Sequence, residues 1–191
     1  MTAQERNELM EIIRRLSYEE REVTLASGRK SNFYFDGKQT TLHPRGSVLV
    51  GKAFFKAVRS FGLNVDGVGG LTLGADPIAT ATSMISSLEN EPFPAFIIRK
   101  EPKGHGTGQW LEGRKNFAPG AKVVIVEDVV TTGGSSMLAI ERAREEGLDV
   151  IGVVTLVDRE EGGSASFAAA GVPFKAIFTK SEVAACSAAD T

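Results

Sequence analysis

Apolar residues recur at two different spacings along this chain. Leu9, Ile12, Ile13 and Leu16 fall three and four apart within residues 2–16, which is the spacing of one face of a helix. Residues 23–25 and 33–35 are short β-type runs joined by the turn Ser27-Gly28-Arg29-Lys30-Ser31. Pro44 opens a second helix with an apolar face of Val48, Leu49, Phe54, Phe55 and Val58, and Gly62 ends it. Beyond that point the pattern becomes regular. Strands are predicted at 65–68, 95–98, 122–126, 150–157 and 174–178, with helices at 77–88, 134–146 and 164–170.

Strands that are almost continuous in Val and Ile, alternating with helices, predict an α/β fold: a parallel sheet covered on both faces. Ligands of such sheets bind beyond the carboxyl ends of the strands. Chemistry is therefore expected in the turns after Val68, Ile98, Val126 and Val157.

Composition narrows the classes. The chain has 191 residues, which suits one domain, and 22 Lys and Arg stand against 24 Asp and Glu. A net charge of -2 argues against a nucleic-acid binder that works through bulk positive field. The single cysteine, Cys186, allows no disulfide framework within one chain. The start is charged and amphipathic, and no apolar run approaches the roughly 20 residues that span a bilayer. The expectation is a soluble, cytoplasmic protein without nucleic-acid or membrane partners.

The most informative segment is Val123-Val124-Ile125-Val126-Glu127-Asp128-Val129-Val130-Thr131-Thr132-Gly133-Gly134-Ser135. An apolar strand delivers two acids, then two β-branched residues, then a hydroxyl- and glycine-rich turn that enters a helix. Glycines let backbone N–H groups approach an anion, and a helix N-terminus adds favourable partial charge. Thr131, Thr132 and Ser135 add hydroxyl donors. Two carboxylates beside a phosphate need partners of their own, and ribose hydroxyls with a hydrated Mg²⁺ provide them. The Lys of a Walker loop is missing, as is the spacing of a dinucleotide fingerprint.

This string resembles the motif of type I phosphoribosyltransferases that binds phosphoribosyl pyrophosphate (PRPP). The resemblance implies that Glu127 and Asp128 face the ribose hydroxyls, Asp128 also serving catalysis. It implies too that Thr131, Thr132, Gly133, Gly134 and Ser135 hold the 5-phosphate, with Val129 and Val130 also in the PRPP-binding string, and that Mg²⁺ is carried mainly by PRPP and water, with no direct protein ligand.

Three further segments are similar to the orotate phosphoribosyltransferase family, and the resemblance covers nearly the whole chain. They are the basic turn and aromatics at 27–36, the Gly- and Lys-rich stretch at 99–108, and Val157-Asp158-Arg159-Glu160-Glu161-Gly162-Gly163. The chemistry is coherent with this. Displacing pyrophosphate builds a highly anionic leaving group, which calls for clustered cations and exclusion of water. Arg99, Lys100, Lys103 and His105 lie on a segment rich enough in glycine to close over substrate. The resemblance implies a homodimer with shared sites, in which Arg99, Lys103 and His105 serve the neighbouring subunit while Lys100 stays nearer its own. Lys103 and His105 are the catalytic candidates.

Arg159 is expected to clamp the acceptor's carboxylate in bidentate fashion. By resemblance Thr131, Tyr34, Phe35 and Lys30 complete the orotate site, although Phe33 and Phe35 also alternate as the buried face of a strand would. The pyrophosphate loop is Thr72, Leu73 and Gly74. It departs from the family pattern, in which a lysine stands at the place of Leu73; another lysine is frequent at the place of Ala26. Lys30 and Lys38 are the candidates to replace the charge missing at Ala26.

The implied fold is the type I phosphoribosyltransferase fold over residues 1–191, a mainly parallel five-stranded sheet flanked by helices. A small hood from about 20–41 plus the C-terminal end, and a mobile loop at about 99–115, are expected to cover the site. The implied reaction joins orotate to PRPP, giving orotidine 5′-phosphate and pyrophosphate. The alternatives are transfer to another base, or a PRPP-sensing regulator without catalysis.

Overall fold

The computed structural model describes residues 1–24, 30–62, 64–102 and 110–185, with the backbone alone for 22–24 and 30–32. Lys103 and His105, the centre of the expected loop, lie outside the described residues, as do Ala26 and Cys186.

Helix α1 (Ala3–Leu16) starts on a capping box in which Thr2 and Glu5 satisfy each other's backbone N–H groups, and it buries Leu9, Met10, Ile12 and Ile13. Strands β1 (Tyr18–Thr24) and β2 (Lys30–Phe35) pair antiparallel as a separate two-stranded sheet. A short helix α2 (Lys38–Thr41) precedes α3 (Pro44–Arg59), which begins with proline in its first turn. Then follow β3 (Gly67–Leu71), α4 (Ala75–Leu88), β4 (Ala95–Ile98), β5 (Leu111–Glu112) and a 3₁₀ turn (Arg114–Asn116). The remaining elements are β6 (Lys122–Val130), α5 (Gly134–Glu145), β7 (Asp149–Asp158), α6 (Gly163–Ala169), β8 (Phe174–Thr179) and α7 (Lys180–Ala185).

The large sheet has the order β5-β4-β3-β6-β7-β8. Its five long strands are parallel, as the alternating pattern predicts, and the two-residue β5 adds an antiparallel edge to β4. Residues of β6 alternate between two cores. Val124 and Val126 pack with α1, α3 and the Phe33–Phe35 face of β2, while Val123 and Ile125 pack with α5 and α6. That division confirms a sheet covered on both faces. Strand order reverses at β3, which has the earlier-to-later neighbour β4 on one side and β6 on the other. The crevice at their carboxyl ends is the switch point where such sheets bind ligands.

Three segments differ from the expected ones. Strand β6 continues four residues past 126, through both acids to Val130, because β7 keeps pairing with it as far as Val130↔Asp158. The expected loop at 99–115 contains β5 and the 3₁₀ turn. Helix α7 (Lys180–Ala185) follows the last expected strand and buries Val183. No helix among the described residues is long and apolar enough to cross a membrane.

Candidate active site

The turn after β6 is shaped by steric necessity. Gly133 sits at φ 89°, a left-handed conformation that side chains strain to adopt, and a Cβ there would lie 3.1 Å from the Phe167 ring. Gly163, at the start of α6, closes the underside: a Cβ on it would meet Val130 Cγ1 at 2.3 Å, and its N–H donates to the Thr131 carbonyl. No side chain caps α5, so its first N–H groups open into a cavity of about 220 Å³ lined by residues 129–136. Such a cavity suits one phosphate group held by backbone N–H groups and the helix dipole. All of the predicted cradle residues from Val129 to Ser135 line it. Ser136, which sequence reasoning missed, lines it too; its hydroxyl is buried and makes no hydrogen bond among the described residues.

Glu127 and Asp128 are buried at the end of β6, and both reach over the β3–α4 turn. A Cβ on Gly74 would fall 2.6 Å from Asp128 Oδ1 and 2.7 Å from Glu127 Oε1, so the two carboxylates converge on the backbone of the predicted pyrophosphate loop. That loop has its own internal tie, with Thr72 Oγ1 donating to Asp76 Oδ2 at 2.6 Å. Leu73 is 66% exposed and supplies no charge.

Burial, followed by the charge of Asp128 and the hydrogen bond between the two groups, pushes the Glu127 carboxyl up to about 8. Among the described residues Lys38 pairs with one of these acids, a task that composition alone did not single out for it. Its Nζ lies 3.6 Å from Asp128 Oδ2 and 2.9 Å from Asp36 Oδ1. Burial works against its charge, but the two carboxylates outweigh that and raise its pKa. Gly37 makes this approach possible, since a Cβ there would stand 2.8 Å from Asp128 Cβ.

One strand away, at the end of β7, Arg159 is buried. Its Nη2 donates to the Phe33 carbonyl at 3.3 Å, Nε donates to Glu161 Oε1 at 3.1 Å, and the guanidinium lies 5.5 Å from the centre of the Phe33 ring. The small β1–β2 sheet therefore meets the main sheet at this arginine. Phe33 and Phe35 are both buried, and Tyr34, on the opposite side of β2, is half-buried under the Arg21 guanidinium at 4.0 Å. Lys30 begins β2, but its side chain lies outside the described part. Glu160 accepts from both the N–H and the hydroxyl of Ser181, tying α7 to the same turn.

Arg99 stands at the neck of the 100–109 segment. Its N–H donates to the Trp110 carbonyl at 2.9 Å and its guanidinium pairs with Glu112 at 2.9 Å, while Trp110 lies under the Arg142 guanidinium. Lys100 is exposed. Among the described residues no group of three or more His, Cys, Asp or Glu is placed to hold a metal ion. Two converging carboxylates still fit a hydrated Mg²⁺ shared with substrate oxygens, since this ion keeps its waters and takes few protein ligands.

Taken together, the strand ends place an anion cradle, an acid pair and a buried guanidinium side by side. Residues 36–181 match the model of the phosphoribosyl transferase domain. The chain is 48% identical over 174 residues to the orotate phosphoribosyltransferase of Nostoc sp., covering 91% of this chain and 82% of that one. It is 49% identical over 179 residues to that of Bradyrhizobium diazoefficiens, covering 93% and 95%. The crystal structure of Mycobacterium tuberculosis orotate phosphoribosyltransferase in complex with PRPP superposes with a TM-score of 0.77 at 36% identity, over 94% of this chain and 99% of that one. This chain belongs to the orotate phosphoribosyltransferase family of phosphoribosyl transferases.

Proposed function

We propose that the chain transfers the 5-phosphoribosyl group of PRPP to orotate, giving orotidine 5′-phosphate and pyrophosphate in pyrimidine nucleotide synthesis. The observation that carries this is the convergence of Glu127 and Asp128 over the β3–α4 turn, directly beside the uncapped cradle of residues 129–136. A ribose 5-phosphate with a pyrophosphate on C1′ spans those features. Its phosphate sits on the N–H groups of α5, its diol faces the acids, and its pyrophosphate lies along Thr72, Leu73 and Gly74.

The bond between C1′ and the pyrophosphate oxygen breaks, the oxygen keeping the electron pair, and a ring nitrogen of orotate forms the new bond to C1′ as its N–H bond breaks and the proton passes to water. Asp128 lies on the ribose side of that centre and stabilises the positive charge that develops there. Bound Mg²⁺ would neutralise charge on the leaving group. Arg159 and Thr131 hold the acceptor, with Tyr34, Phe35 and Lys30 of the β1–β2 hood walling it. Lys103 and His105, with Arg99 and Lys100 at the neck of their segment, bring cations to the pyrophosphate and exclude water.

The working form is a cytoplasmic homodimer with shared sites. Its support is an apolar surface next to the acid pair, where Leu42, Leu73 and Met84 are all exposed around a cavity of about 640 Å³ that Lys38 also lines. The test is loss of orotate absorbance with PRPP and Mg²⁺, run beside adenine, guanine and uracil. Turnover of orotate in preference to the other bases is expected. Preference for another base would move the acceptor assignment, and PRPP binding without turnover of any base would make the protein a sensor. In Lys103→Ala, lost turnover with PRPP binding kept is expected, and unchanged turnover would remove the loop from the mechanism.

A further inference from the structure

Arg159 does not present an open edge to the crevice. Glu161 Oε1 accepts from its Nε at 3.1 Å and stands 3.1 Å from Nη2, so one carboxylate oxygen occupies the whole Nε–Nη2 edge. The end edge is engaged as well, because Nη2 also donates to the Phe33 carbonyl. Both side chains are largely covered, at 9% and 14% exposure. A carboxylate that is to grip this guanidinium with two parallel hydrogen bonds needs an edge that the protein already fills.

The local backbone shows that this contact is built in. Glu160, between the two partners, adopts φ 59°, a left-handed conformation uncommon for a residue with a side chain. It is held there by its own N–H donating to Asp158 Oδ1 and by Ser181 on its carboxylate. The reversal at Glu160 brings Glu161 back onto the arginine two residues earlier. Gly162, at φ 103°, follows at once and is exposed, which leaves Glu161 a short path to solvent.

We infer that Glu161 holds the acceptor's place in the empty site: its carboxylate stands in for that of the acceptor on Arg159, and a carboxylate-bearing ring binds by displacing it. The inference rests on the reading of Arg159 as the acceptor clamp. A buried guanidinium without an anion is costly, so an internal carboxylate keeps the site folded and its arginine in plane. An acceptor with a carboxylate exchanges like for like. A neutral ring leaves Glu161 seated and gains nothing from the arginine, whereas orotate gains the arginine and gives up part of its affinity to displace Glu161.

The experiment compares Glu161→Gln, Glu161→Asp and Arg159→Gln with the wild type, measuring kcat and the KM values of orotate and PRPP. Thermal unfolding reports whether each variant is folded. Glu161→Gln weakens the stand-in without removing its shape, and orotate KM is expected to fall about three- to tenfold, the scale of one partly buried ion pair. The KM of PRPP stays unchanged, and Glu161→Asp, which keeps the charge, moves orotate KM less. Orotate KM that is unchanged or raised in a folded Glu161→Gln overturns the inference and makes Glu161 a plain support for the arginine. Arg159→Gln separates the two layers. If it leaves orotate KM unchanged, the acceptor clamp itself is wrong; if it raises orotate KM while Glu161→Gln fails to lower it, only the stand-in role falls.

Discussion

The ends of β6 and β7 lie side by side and are built by opposite means. The β6 end is backbone architecture. Glycines 74 and 163 each occupy a place where a Cβ would collide, Gly133 adopts a left-handed φ with a ring close by, and the helix behind them offers N–H groups that no described side chain caps. The β7 end is side-chain architecture, an arginine kept in place by Glu161, by a carbonyl of β2 and by an aromatic ring. Under the proposed function the first end holds the donor, by geometry that any side chain would spoil, and the second holds the acceptor, by groups that can be exchanged one at a time.

The sharpest way to break this comparison is at Gly133. Alanine there meets both the left-handed φ and the Phe167 ring, and a displacement of about 1 Å at a reacting group costs about a hundredfold in rate. Gly133→Ala is expected to lower kcat/KM for PRPP by roughly 100- to 1,000-fold while orotate KM stays within a few-fold. Equal losses for both substrates would mean that the two strand ends do not act separately. Arg159→Gln is the converse. A charged hydrogen bond lost from a buried site costs about 1.5–3 kcal/mol, so kcat/KM for orotate should fall about 10- to 150-fold with the KM of PRPP kept.

The same contrast explains what could be seen in the sequence. The cradle was legible because its parts are contiguous: hydroxyls, glycines and acids follow one another from Glu127 to Ser135. Even so, the strand was expected to stop at Val126, since two acids look like a turn. It does not stop, because the carboxylates have the β3–α4 turn to lean over and β7 continues to pair. Arg159 could be singled out by its charge, but its contact with Phe33 spans 126 positions and leaves no local signal. Glu161, two residues on, could be read as a surface partner of Arg159, but nothing local marks the pair as buried. Ser136 fell just past the end of a recognisable motif, and only its burial distinguishes it.

A third prediction concerns stability at the β6 end. Glu127 has a pKa raised from 4.5 to about 8, so between those values the folded chain binds more protons than the unfolded one. Stability therefore falls as pH rises through that window, and the penalty is complete above about 8. Its size should be on the order of 5 kcal/mol. Denaturant unfolding from pH 5 to 9 in a chelating buffer measures the slope. Glu127→Gln is expected to flatten it and to be the more stable protein at pH 8.5. A slope that survives the substitution would move the raised carboxyl elsewhere.

The smallest effect is expected at Lys38, where the two kinds of architecture meet. Its amine bridges Asp36 and Asp128, but the side chain is 43% exposed, so water screens much of the attraction. Lys38→Met should cost less than about 1 kcal/mol of stability. Lys38 also lowers the pKa of Glu127, so its loss should shift the pH window of the preceding experiment upward. If Lys38 supplies charge that Leu73 cannot, the KM of PRPP should rise about threefold at low salt, and the difference should shrink as salt screens the exposed amine. A loss of a hundredfold would show instead that the donor half depends on a side chain as heavily as the acceptor half does. An unchanged KM would leave the cradle, the acid pair and the loop turn as a donor site held by backbone and carboxylates alone.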